Sequence, residues 1–317
     1  MNKIIVDCLG CDNKTAVIKG IAKALKEIDD VIIYASGDEK EIKSILHDEN
    51  YDKSRLGFIN APEVITNNDS PVLAIRTKEN SSLVQALQFL RNNYDVSALI
   101  SAGSTGAVLC GSIIILGKEE NVDRPTLVSY LPTSNNSNVC LTDCGANIDS
   151  RPQHLLEFAT LANENVKKAF KIDNPRIGLL SIGSEDKKGN ALTKEAFVLL
   201  KNSDLNFVGN VEPKNVLNGD VDVVVADGFY GNILLKTIES SAKTILKNIL
   251  NKLYKHIPSD VDSSFIKESY EECLKEIDFN SQGGAQILGI KKTVIKAHGS
   301  ANEDTIVNCI KQAIKNI

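Results

Sequence analysis

The stretch Val96–Leu109, VSALISAGSTGAVL, decides how the chain is read. Val96–Ile100 is an apolar, β-type run. Ser101, Gly103, Ser104, Thr105 and Gly106 then make a turn of small residues, and Ala107–Leu109 restarts as helix. Strand, glycine loop and helix form the repeating unit of a parallel sheet. Glycines let backbone approach a ligand closely. The first N–H groups of a helix lack partners and face back at the loop, with the positive end of the helix dipole behind them. Such a loop suits an anion, above all a phosphate. An ordinary βα turn has the same composition, so the loop alone gives a candidate and no more.

Outward from this stretch the pattern repeats. Lys3–Cys8, Val31–Ala35 and Phe58-Ile59 read as strands before it. Thr126–Leu131, Val139–Asp143, Arg176–Ile182, Asn206–Gly209, Asp222–Ala226 and Thr293–Ala297 read as strands after it. Helical spacing of Val17, Ile18, Ile21, Leu25 and Ile28 predicts a helix between the first two strands. Further helices are expected after Ser36-Gly37-Asp38 and over Leu83–Arg91, His154–Lys171 and Ala191–Lys201, whereas Ala61–Lys78 reads as irregular. Ser300 with Glu303 fits a capping box for the closing helix. Alternation of this kind indicates an α/β fold, a doubly wound and mostly parallel sheet covered on both faces. Sites in such sheets lie beyond the C-terminal ends of strands. That rule gathers the loops Asp7–Asp12, Gly103–Ala107, Asp143–Asn147, Gly183–Asn190, Asp227–Asn232 and Lys296–Ser300 into one region.

One segment breaks the alternation. Leu234–Tyr254 carries Ile238, Ala242, Ile245, Leu246, Ile249, Leu250 and Leu253 at helical spacing, and His256-Ile257-Pro258 stops it. Asp262-Ser263 caps a second helix with Phe265, Ile266, Tyr270, Leu274 and Ile277. The chain therefore reads as a single unit over 1–317 with a projecting amphipathic helical hairpin at 234–280. Its apolar stripe needs a cover: the chain's own sheet is one, and the partner of a homodimer is the one expected. A membrane surface is a further cover, since Lys243, Lys247, Lys252 and Lys255 line the polar face.

Composition narrows the function classes. The 317 residues are 42% hydrophobic and 24% charged, with net charge −5, so no general attraction to nucleic acid is expected. No apolar run reaches membrane-spanning length, and the N-terminus carries no secretory h-region, so a cytoplasmic protein is expected. Seven cysteines fit a reduced compartment. Cys8 with Cys11 and Cys140 with Cys144 form two close pairs, neither set in a zinc-knuckle sequence, and packing is the expected role.

Three loops carry groups with chemistry. Gly183–Leu192 (GSEDKKGNAL) offers Lys187 or Lys188 to neutralise an anion and Asn190 to hydrogen-bond it; a solvated charged turn is the alternative. Asp227–Lys236 (DGFYGNILLK) places two glycines and Asn232 between strand and helix, with Asp227 as a cap or buried acceptor. His298 lies in KAHGS, where an imidazole serves as general acid, as phosphate donor or as a structural group. His154 reads as a packing or surface residue. No Walker loop, His-x-x-x-His or Gly-x-Ser-x-Gly occurs, and no Gly-x-Gly-x-x-Gly follows the first strand, which counts against a dinucleotide enzyme.

With these loops in place, the sequence resembles the acyl-ACP:phosphate acyltransferase family (PlsX) of bacterial phospholipid synthesis along nearly its whole length. The residues that carry the resemblance are Ser101–Ala107 (SAGSTGA), Asp123-Arg124-Pro125, Asp143–Asn147 (DCGAN), Pro152–Leu156 (PQHLL), Asn174–Leu192 (NPRIGLLSIGSEDKKGNAL), Asp227–Asn232 (DGFYGN), Gly283–Gly289 (GGAQILG) and Lys296–Ser300 (KAHGS). It departs in the first loop, where Cys11 stands at a usual glycine, and in the lysine loop, where Ser181, Ser184 and Asp186 stand for Asn, Thr and Glu.

The resemblance implies a fold like that of isopropylmalate dehydrogenases and phosphotransacetylases, a homodimer, peripheral membrane association, no cofactor and no metal. It also implies transfer of an acyl group from acyl-ACP to inorganic phosphate, with a glycerol-phosphate acyltransferase downstream. On that basis Lys188, Asn190, Asn232 and His298 are the expected catalytic groups. Gly103, Ser104, Thr105, Gly106, Asp143, Asn147, Asp227 and Lys296 are the expected contacts to phosphate or acyl group. A phosphotransacetylase using acyl-CoA, a non-catalytic scaffold and a dehydrogenase are the alternatives.

Overall fold

Runs rich in Val and Ile pair into one sheet in the computed structural model, which describes residues 1–256, 264–277 and 283–317. Its strands are β1 (Asn2–Asp7), β2 (Val31–Gly37), β3 (Leu56–Asn60), β4 (Val96–Ser101), β5 (Thr126–Pro132), β6 (Asn138–Thr142), β7 (Ile177–Leu180), β8 (Phe207–Val211), β9 (Val223–Val225), β10 (Ala285–Leu288) and β11 (Thr293–Lys296). Across the sheet they run β3-β2-β1-β4-β11-β10-β5-β6-β9-β7-β8. Pairing is parallel except where β10 meets β11 and β5, and where β5 meets β6.

Those three antiparallel seams have a consequence for the site. They divide the sheet into two parallel blocks of opposite direction, so loops after β4 and β11 leave one edge and loops after β6 and β9 leave the other. Strand direction by itself would therefore separate the loops expected in one region. Register brings the two sets back together. Lys296 pairs with Ser101 and with Ala285, while Val128, beside Gln286, pairs with Thr142 and through it reaches the level of Val225. The C-terminal ends of both blocks thus stop at nearly the same height, at the middle of the sheet.

Alternation along the strands fills both faces. Ile5, Leu99, Leu127, Leu141, Val224 and Val294 point to one continuous core. Ile4, Val6, Ala98, Ile100 and Ile295 build a second core on the opposite face, and Val128, Cys140, Ile177, Leu179 and Val225 a third. The helices covering them are α1 (Lys14–Glu27), α2 (Glu39–Ile45), α3 (Pro71–Thr77), α4 (Ser82–Asn92), α5 (Thr105–Gly111), α6 (Pro152–Phe170), α7 (Ala191–Lys201), α8 (Gly228–His256), α9 (Ser264–Ile277) and α10 (Glu303–Asn316).

Several local expectations change. The segment read as irregular contains α3, which starts with Pro71 behind Ser70, a position where proline's missing N–H costs nothing. β10 had no strand pattern of its own in the sequence. The last helix is capped by Asn302 and Thr305, because Ser300 is drawn back to His298. α8 begins earlier than expected, directly at Gly228, and beyond the sheet it pairs with α9, leaving Ile245, Ile249, Leu253 and Phe265 exposed. The expected stop at Ile257-Pro258, the cap at Asp262-Ser263 and the end of the hairpin at 280 lie outside the described residues. Among the described residues no helix is long and apolar enough to cross a membrane.

Candidate active site

Where the two blocks meet, a cavity of about 530 Å³ opens on the face of the continuous core. Gly103 and Thr105 reach it from the loop after β4, Lys296 and His298 from the end of β11, and Gly283-Gly284 from the approach to β10. Leu127 and Ser129 of β5 form part of its wall, with Cys144 and Gly145 after β6 beside them. α8 supplies Asn232, Leu235, Lys236 and Glu239. Asp12 and Asn67 complete the rim, both exposed.

Lys296 dominates the electrostatics. Its side chain is 8% exposed, its ammonium donates to the Ala297 carbonyl, and no ion pair holds it among the described residues. Burial penalises the charged form and lowers its pKa to about 8, against the opposing pull of Asp12 and Asp7. Asp7 is buried beneath it at the end of β1. Its carboxylate accepts from Ser101 Oγ at 2.7 Å and from Leu9 N–H at 3.3 Å, and burial raises its pKa. A buried cation on a cavity wall that a carbonyl alone partners among the described residues is a ready receptor for an anion.

His298 is exposed at the mouth. Its Nδ1 accepts the Ser300 N–H at 3.2 Å and lies 2.8 Å from Ser300 Oγ. That contact assigns the proton of the neutral ring to Nε2, making Nε2 the donor. Asn232 is packed against the loop after β6. The Asp143 carboxylate collects N–H groups of Leu127, Gly145, Ala146 and Asn147, together with Asn147 Nδ2, at 2.7–3.2 Å. This ties β5 to the loop after β6. Gly145 of that loop packs against the Asn232 side chain, a Cβ there standing 3.4 Å from Asn232 Cγ.

Of the residues expected from sequence, Gly103, Thr105, Asn232, Lys296 and His298 come together around the cavity. The others stand apart. Asp143 and Asn147 turn inward and hold the loop. Asn147 Nδ2 also donates to the Pro125 carbonyl at 2.9 Å. Asp227 accepts Tyr230 N–H at 2.8 Å at the start of α8, and burial raises its pKa. Gly106 faces Pro71, where a Cβ would come within 2.8 Å of Cγ. Ser104 is the N-cap residue of α5 and makes no side-chain cap, which leaves the first-turn N–H groups uncapped by it. Lys188 and Asn190 lie in the loop after β7, outside the cavity wall. Lys188 is half exposed and 3.9 Å from Glu185, and Asn190 caps α7 through Thr193 N–H at 2.9 Å.

Sequence reasoning missed Lys236, Cys144, Ser129 and Asn67 as wall residues. Lys236 was findable: it stands four residues after Asn232 on α8, hence on the same helix face. Cys144 sits in the strand-end loop Asp143–Asn147, whereas Ser129 and Asn67 reach the cavity through tertiary placement alone. All seven cysteines are free thiols, and Cys8, Cys140, Cys144 and Cys309 are buried with raised pKa values.

Three comparisons bear on this geometry. The model of the family described as "Fatty acid synthesis protein" matches residues 2–317. The chain is 41% identical over 313 residues to the phosphate acyltransferase of Clostridium novyi, covering 98% of this chain and 94% of that one. It is 42% identical over 312 residues to the phosphate acyltransferase of Bacillus pumilus, covering 98% and 92%. Among solved structures, a phosphotransacetylase from Streptococcus pyogenes superposes with TM-score 0.64 at 18% identity, covering 99% of this chain and 94% of that one. A branched-chain phosphotransacylase from Enterococcus faecalis V583 gives 0.62 at 14%, covering 100% and 99%. At such identities the structural likeness speaks for the fold. The family match and the full-length relatives speak for more: the chain belongs to the fatty acid synthesis protein family, and it is a phosphate acyltransferase, an enzyme that transfers an acyl group to phosphate.

Proposed function

We propose that the acyl donor is a fatty acyl-ACP, and that the products are acyl phosphate and free ACP on the route to phosphatidic acid. The observation that carries this reading is the buried Lys296 ammonium on a cavity shared with the Gly103 loop, Asn232 and His298.

Phosphate at neutral pH is already an oxyanion nucleophile, so positioning and charge stabilisation are the main tasks. Lys296 and the Gly103–Ala107 loop hold the phosphate. One of its oxygens attacks the thioester carbonyl carbon, and Asn232 donates to the carbonyl oxygen as it gains charge. The C–S bond then breaks. His298 Nε2 gives its proton to the departing sulfur, and the proton lost by the phosphate replaces it. Lys188, in the loop after β7 and outside the cavity wall, joins this scheme only by swinging its half-exposed side chain toward the same charge, whereas Asn190 stays on its α7 cap. No cofactor, metal or acyl-enzyme enters the scheme.

In this reading the apolar stripe of α8 and α9 is covered by the second copy of a homodimer. Peripheral membrane contact brings the labile product close to a downstream glycerol-phosphate acyltransferase. The test is phosphate-dependent consumption of a long-chain acyl-ACP, with acyl phosphate trapped as hydroxamate. Turnover of acyl-CoA in preference to acyl-ACP would replace the donor assignment, and no hydroxamate from either thioester would end it.

A further inference from the structure

Lys236 has no task in the mechanism above. It projects from α8 one turn beyond Asn232 and lines the same cavity as Lys296, yet the two lysines sit at different depths, Lys296 buried and Lys236 exposed. Its ammonium has no ion-pair partner among the described residues. The carboxylate nearest along the helix, Glu239, is taken by Lys243 at 2.8 Å. The other wall carboxylate, Asp12, is packed on the Gly299 loop at the end of β11, where a Cβ on residue 299 would meet it at 3.0 Å. The cavity, at about 530 Å³, is in the range that encloses a ligand of drug size, far more than inorganic phosphate fills. It thus offers a deep cation and a second, unneutralised cation at its mouth.

Resting on the proposed function, the donor brings a second anion of its own. Acyl-ACP and acyl-CoA share a pantetheine arm with a phosphate ester at its far end. We propose that Lys236 binds this phosphate ester while Lys296 binds inorganic phosphate, so that the two anions enter one cavity on separate cations. Lysine suits the role, acting on phosphate as a point charge at an exposed position.

The test compares fatty acyl-pantetheine, which lacks the phosphate, with acyl-4′-phosphopantetheine, acyl-CoA and acyl-ACP in the full-length enzyme. The readout is the KM of each phosphorylated donor relative to acyl-pantetheine. In Lys236→Gln this ratio is expected to rise about tenfold, the scale of a lost hydrogen bond to a charged group. Lys236→Glu should raise it further, and Lys236→Arg should restore most of the wild-type ratio. The KM for inorganic phosphate should not carry the change. An unchanged ratio in Lys236→Glu overturns the assignment, as does a change carried by the inorganic phosphate KM. A change seen with acyl-ACP alone also overturns it, because the contact would then be to the carrier protein's surface. If wild-type enzyme makes acyl phosphate from none of the four donors, the proposed function itself fails and the Lys236 assignment falls with it.

Discussion

The carbonyl oxygen of Asp143 lies 1.9 Å from where a Cβ on residue 231 would stand, so only glycine lets α8 start against the loop after β6. The next residue is Asn232, and the closeness of this contact sets how far Asn232 reaches into the cavity. Gly231→Ala must push the helix start away. Overpacking of this kind costs about 1–3 kcal/mol. The urea midpoint should fall, and kcat/KM should fall further than the lost stability explains when both are measured where the variant is fully folded. A variant with unchanged midpoint and kinetics would show that α8 yields freely.

Lys296 makes phosphate binding depend on pH in a stated direction. Its pKa is lowered from 10.5 to about 8, so the attraction for phosphate is present below pH 8 and lost as pH rises through it. The KM for phosphate should climb between pH 7 and 9 in the wild type and stay high and flat in Lys296→Met. Stability moves the other way. The unfolded chain binds more protons than the folded one between about pH 8 and 10.5, so this group's contribution to folding improves across that window. Lys296→Met should lack that improvement in urea titrations at the two ends of the window.

Lys188 separates catalysis from folding. Its side chain is half exposed and its ion pair with Glu185 is loose at 3.9 Å. Lys188→Ala should therefore change stability by no more than about 0.5 kcal/mol. Removal of a donor to developing charge costs roughly 10²-fold or more in kcat. Unchanged turnover and phosphate affinity would remove Lys188 from the site.

The thiols should stay silent. Cys144 lines the cavity, but burial raises its pKa well above the ordinary range, and its Sγ donates to the Leu141 carbonyl at 3.1 Å. Cys8 is buried at the end of β1 with its pKa raised in the same way. Neither is poised as a nucleophile. Mass spectrometry of enzyme quenched during turnover should find no acyl group on either, and iodoacetamide at neutral pH should modify them only after denaturation. An acyl-Cys144 adduct would refute direct attack by phosphate.

Much of this architecture is written in local pattern. β-type runs such as Val96–Ile100 and Asp222–Ala226 declare themselves because strands buried on both faces must be continuously apolar. β10 does not, because Ala285–Leu288 is short and finds its place only between β5 and β11. The site divides in the same way. Gly103, Thr105, Asn232, Lys296 and His298 follow strands or open helices, so strand-end reasoning reaches them. Asp143 and Asn147 occupy an equally suggestive loop, yet their hydrogen bonds turn inward, which only the fold reveals. Strand direction was equally hidden. A run of valines does not say which way it points, and the reversal at β5 came from pairing alone.

That reversal bears on how the protein is made. β10 and β11 stitch the first four strands to the five that run from β5 to β9, yet they leave the ribosome after all nine. Until they emerge, each half of the nascent chain holds an open flank facing the other, and Lys296, the deepest charge of the pocket, is not yet synthesised. A chain cut before β10 should therefore hold two sheets with no strand pairing between them and no Lys296, and not a weakened form of the whole.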